Sequence, residues 1–229
     1  MSVFPTWAEI KTKVQQDLDI EDEVFVTDAE LMSYCNEAID EAEAEIHSLY
    51  EDYFLNKATV TLVQGTSDYA LPSDIYAHKI RRLIYQNGAT IYTVDRMKDW
   101  KKFEEKAVTD YYPGTAYYSY LIINAAAGTP KISLVPTAQE SGAYLTLWYI
   151  RNATRMTADA SICDIPEFIN FIYQYIKVRV YEKEMNPNAQ GAIAILQQQR
   201  ELMQSTLGTM VPDADNTIEM DISSYLEQS

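Results

Sequence analysis

The segment at residues 164–183, DIPEFINFIYQYIKVRVYEK, constrains the fold more than any other stretch. Asp164 stands three residues before Glu167 in a capping pattern, and Pro166 suits a first helical turn. Phe168, Ile169, Phe171, Ile172, Tyr175, Ile176, Val178 and Val180 then cover more than one face of a helix, so other elements must wrap it. Asn170, Gln174, Lys177 and Arg179 interrupt the run, which therefore falls short of the roughly 20 apolar residues a bilayer requires. A buried core helix is expected.

Two helices precede it. Thr6 and Glu9 form a T-x-x-E capping box, followed by Trp7, Ile10, Val14 and Leu18 at helical spacing. Thr27 and Glu30 repeat the device and open a helix to about residue 53. Its inner side carries Leu31, Tyr34, Cys35, Ala38, Ile39, Ala42, Ile46, Leu49, Tyr50 and Tyr53. The other side bears Glu37, Glu41, Glu43, Glu45 and Glu51 with almost no nearby lysine or arginine. Like charges at this spacing cost a few tenths of a kcal/mol each, against about 1.5–3 kcal/mol for each fully buried large apolar side chain, so the helix tolerates them. Such a face is either solvated or kept free of DNA.

At residue 57 the period changes from 3.6 to 2. Strands are predicted at residues 58–63, 78–85, 89–94, 116–124, 130–135 and 143–150, with Asn87-Gly88 as a hairpin turn. Residues 97–107 read as a short amphipathic helix whose Lys98, Lys101 and Lys102 are solvated or meet an acidic neighbour. After the core helix, Asn186-Pro187-Asn188 breaks the chain. A last helix from 189 to 207 follows, with Ala192, Ile195, Leu196, Leu202 and Met203 inward and Gly208 as its stop. The fold class is α+β: a helical bundle from residues 1–56 and 164–208, an inserted antiparallel β-sheet or small β-sandwich lobe at 57–163, and an extended tail at 209–229. The tail has too few apolar residues to bury itself. Ile218, Met220, Ile222, Tyr225 and Leu226 are anchors for a partner that orders it.

Eighteen Lys and Arg oppose 34 Asp and Glu, a formal charge of -16, so the average surface repels nucleic acid and anionic lipid. The start shows neither signal peptide nor membrane anchor, and the two cysteines read as buried thiols. The 18 tyrosines fit either subunit interfaces or half-buried strands. Asp17, Asp19, Glu21, Glu23 and Asp28 resemble a calcium loop, but Asp22 occupies the position that needs glycine and no glutamate closes it. No metal and no cofactor are expected. His47 and His78 lie near no nucleophile motif, and no phosphate loop, dinucleotide fingerprint or zinc motif is present, so no catalytic residue is assigned and an enzyme is not expected.

Several segments carry a resemblance: Gly65, Tyr69, Leu71 and Pro72 in G-x-x-x-Y-x-L-P, ISLVP at 132–136, YLTLWYIR at 144–151, the acidic NEAIDEAEAEIHSLYEDYF and the closing VPDADNTIEMD. Together with the helix–β–helix order they resemble the head-to-tail adaptor proteins of tailed bacteriophages. That resemblance implies a structural virion protein in the neck, made in the host bacterial cytoplasm. It implies a dodecameric ring beneath the portal protein, a tail or nozzle protein on the other side, no membrane, and DNA passing through the ring without specific binding. The 209–229 tail would dock on the portal, and Glu37, Glu41, Glu43 and Glu45 are candidates for an acidic channel face. Another head-completion or tail component, or a hydrolase using buried carboxylates, remain the alternatives.

Overall fold

A computed structural model describes residues 4–20, 25–97, 117–124 and 129–210. The class is mixed α+β, with four α-helices and two four-stranded sheets among the described residues. The chain forms two compact units. One joins residues 1–50 to 156–229, and the other is residues 51–155.

In the helical unit, α1 (Trp7–Leu18) and α2 (Asp28–Leu49) both begin with complete capping boxes. Thr6 and Thr27 hydroxyls accept from the amides of Glu9 and Glu30 at 3.3 Å, and the glutamates accept in return from the threonine amides at 2.8 and 2.9 Å. Helix α3 (Ile169–Glu184) packs against α1, α2 and α4 (Ala189–Met210). It buries Phe171, Ile172, Tyr173, Ile176, Val178 and Val180, which lie around much of its circumference. Trp7, Ile10 and Val14 of α1 and Leu31, Cys35, Ile39 and Ile46 of α2 are buried as well.

Several local expectations are corrected. The Asp164 cap does not form: residues 166–168 make a 3-10 turn and neither helical start there has a side-chain cap bond. Helix α2 ends at Leu49, which is 44% exposed, and Glu51–Phe54 is a separate 3-10 turn. Gly208 does not stop α4, which runs on to Met210. Most telling, Ile195 and Leu202 face outward, at 47% and 58% exposure. Only Ala192, Met203 and Leu207 of α4 are buried.

The β unit holds β1 (Leu55–Thr61), β2 (Asp68–Ala70), β3 (Ile75–Asn87), β4 (Thr90–Thr93), β5 (Asp95–Arg96), β6 (Ser119–Asn124), β7 (Pro130–Val135) and β8 (Tyr144–Arg151). One sheet has the order β1-β8-β3-β4 and the other β2-β7-β6-β5. All pairings are antiparallel except the short β5–β6 pair. Side chains of both sheets, including Leu62, Leu83, Leu145 and Leu147 with Tyr69, Ile132 and Leu134, share one apolar cluster. Alternation along β8 explains this, since Leu145, Leu147 and Tyr149 all point to one face. The predicted helix at 97–107 lies almost wholly outside the described residues.

Candidate assembly surfaces

The acidic side of α2 is not the bare surface expected. Arg179 Nε on α3 lies 3.2 Å from Glu37 Oε2, and its guanidinium also sits 5.4 Å over the Tyr34 ring. Arg200 and Gln204, one turn apart on α4, reach Glu41 and Glu45, one turn apart on α2. The two helices are thus laced by groups in matching register, which offsets the repulsion along α2. Burial first, then the Glu41 and Glu37 carboxylates, push the Tyr175 hydroxyl up to about 12. Glu43 is corrected outright. It is 6% exposed, with Oε1 3.6 Å from Nε2 of the equally buried His47, so it does not face solvent. Glu37, Glu41 and Glu45 remain partly exposed.

The connection between α1 and α2 is held at both ends. Asp17 accepts from Lys13 at 2.6 Å and Lys177 at 2.7 Å, and these bonds hold its carboxyl below the usual range. Asp28 meets Lys11 at 2.9 Å. Lys183 bridges Glu30, 2.7 Å, and the Phe25 carbonyl, 2.7 Å. That lysine bond, with the Thr27 amide and hydroxyl, lowers the Glu30 carboxyl to about 2. Two of the calcium-loop-like carboxylates are therefore committed to lysines, and no cluster of three or more metal-ligating side chains occurs among the described residues. Cys35 and Cys163 are both free and buried, and burial pushes both thiols up.

Charge is divided unequally between the units, which the total conceals. Residues 1–50 and 156–229 contain 6 Lys and Arg against 24 Asp and Glu, a net -18. Residues 51–155 contain 12 against 10, a net +2. The excess acid behind a repelling average surface is therefore carried by the helical unit.

Within the acidic unit, the outer side of α4 is an exception. Over 22 residues α4 carries only Arg200 and Glu201 as charges, and Arg200 is turned toward Glu41. Ile195 and Leu202, two turns apart, lie exposed among Gly191, Gln198 and Ser205. They are exposed apolar side chains on a helix with only two charges, which leaves that side open to a partner. The five expected docking anchors, Ile218, Met220, Ile222, Tyr225 and Leu226, fall outside the described residues. No helix among the described residues is long and apolar enough to cross a membrane.

The described residues thus form a mixed helical and sheet chain whose distinctive surfaces are a weakly charged helical side and an unequal division of charge. The family model described as SU10 adaptor protein matches residues 5–221. The chain belongs to the SU10 adaptor protein family, and so is a phage head-to-tail adaptor, a structural protein of the virion. Membership implies association with portal and tail components and a place in the virion neck. No curated protein matches the chain.

Proposed function

We propose that this adaptor works as a ring of identical copies, a dodecamer, seated beneath the portal, bridging it to the tail and surrounding the path of the DNA. The observation that carries the reading is the exposure of Ile195 and Leu202 on α4, a helix with only two charges. Copies that each bear a charge of -16 repel one another, and close contact needs a surface free of that charge. Ile195 and Leu202 supply one within a unit of net -18. A heterologous contact, one patch meeting a different patch on the next copy, closes into a ring.

In this reading the helices act together as a bundle. The acidic helical unit lines the conduit, where it repels the DNA backbone and leaves the polymer free to slide. Glu37, Glu41 and Glu45 are the proposed channel-facing residues, and the buried Glu43 is not among them. The tail bearing Ile218, Met220, Ile222, Tyr225 and Leu226 docks on the portal and orders there, adding contact area that the ring alone lacks.

The test is the native mass of the chain alone and with its cognate portal. A fixed-stoichiometry complex, lost on deleting residues 211–229 while α4 is kept whole, supports the proposal. A chain that stays monomeric and ignores portal refutes it, and capture by another neck or tail component instead would make it a different head-completion part.

A further inference from the structure

The β unit contains a cleft of about 380 Å³ whose lining includes Glu51, His78, Lys79, Arg81, Arg96 and Tyr120. It draws on β3 of one sheet and on β5 and β6 of the other. Its wall is shaped by an irregular stretch of β3. Ala77 and His78 both adopt positive φ, 45° and 57°, and the pairing with β8 slips between Ile75 and Ile80 and again before Arg82. Such backbone is costly for residues with a Cβ and persists where surrounding structure enforces it. The result is a bulge that sets Lys79 and Arg81 along the cleft.

The cleft already seats one carboxylate. Glu51 lies between Lys79 and Arg81, and Arg81 also meets Asp52 at 2.8 Å. A third cation, Arg96, lines the cleft and forms no ion pair with a described residue.

We propose that this cleft receives the acidic run Glu21-Asp22-Glu23 from a second copy of the chain. The inference rests on the ring reading for its biological setting. The occupant follows from charge and placement. Residues 21–23 are the one run of three consecutive acids in the sequence. The described residues that flank it are held, Asp17 and Asp28 by lysines and Ile20 and Val26 by burial. It belongs to the unit of net -18 and the cleft to the unit of net +2, so the contact joins unlike surfaces of neighbouring copies. Guanidinium pairs well with carboxylates, as Arg81 does here with Glu51 and Asp52.

The probe is a fluorescent peptide of residues 17–28, DLDIEDEVFVTD, titrated with the full chain. Saturable binding is expected, stronger at low salt and nearly lost at about 1 M salt, where the Debye length is about 3 Å. Arg96→Glu weakens it by roughly fivefold or more. A peptide with lysine in place of Glu21 and Glu23 fails on the original chain and regains binding to Arg96→Glu. Circular dichroism checks that variant's fold; if it does not fold, the lysine peptide on the original chain decides alone. No binding, equal binding by both peptides, equal binding to both chains, or a short DNA duplex displacing the peptide overturns the proposal. Peptide binding is read without portal, so a failure of the ring reading appears separately, in the mass measurement.

Discussion

Replacing Tyr69 with phenylalanine isolates what the G-x-x-x-Y-x-L-P segment does. The Tyr69 ring is 7% exposed and belongs to the shared core, and phenylalanine keeps that packing. What is lost is the hydroxyl. It accepts from the Val63 amide at 3.1 Å and has the Val63 and Thr66 carbonyls each at 3.2 Å. A phenol has one proton, so it donates to one carbonyl at a time, and two hydrogen bonds disappear. At about 0.5–1.5 kcal/mol each, the loss is about 1–3 kcal/mol. For a chain of this length the middle of that range corresponds to a fall in Tm of roughly 4–8 °C. The same loop turns at Gly65, φ 79°, whose amide donates to the Ala138 carbonyl at 2.9 Å. Gly65→Ala forces a Cβ into the left-handed region and costs about 1–2 kcal/mol by a separate route. Calorimetry on Tyr69→Phe gives the answer. A Tm within about 1 °C of the original would mean that water replaces the hydroxyl without cost, and the account of this loop would fall.

Two further outcomes are expected. Ile176→Ala, at a fully buried site in α3, destabilises by about 2–5 kcal/mol, while Leu202→Ala stays within about 0.5 kcal/mol in the isolated chain, both by urea unfolding; equal effects would contradict the outward placement of Leu202. The Glu30 carboxyl is lowered from 4.5 to about 2 in the folded chain, so its contribution is complete above pH 4.5 and disappears as pH falls through 2. Melting curves from pH 6 to 2 should therefore fall more steeply for the original chain than for Glu30→Gln, and parallel curves would refute the role given to Lys183.

Much of the local structure was legible because its causes are local. The Thr6–Glu9 and Thr27–Glu30 boxes fix helix starts within four residues, and both formed. Alternation likewise placed most strands. A small sandwich was one of the two expectations, but which strands share a sheet was not readable, since β1 pairs with β8, Leu55 opposite Ile150, and nothing near either residue encodes that meeting. The partners of Glu41 and Glu45 were missed for the same reason: they arrive 159 residues later in the sequence. Ile195 and Leu202 were assigned inward because helical spacing marks an apolar stripe without saying whose core it enters. The charge division was readable throughout; counting by segment instead of by chain would have exposed it. Asp164 failed as a cap because a 3-10 turn intervenes before α3 begins.

The segments that flank the β unit in sequence meet in the helical unit. The Trp7 amide donates to the Ser161 carbonyl at 2.8 Å, the Cys163 amide to the Pro5 carbonyl at 2.9 Å, and the Asn36 side chain grips both the amide and the carbonyl of Met156. A ribosome delivers residues 51–155 as one continuous piece, able to close its sheets while synthesis continues. The first two helices must wait, apolar sides uncovered, until α3 and α4 emerge more than a hundred residues later. Closure of the helical unit therefore waits on α3 and α4, and a polypeptide that ends before α3 leaves the apolar sides of the first two helices without their later partners.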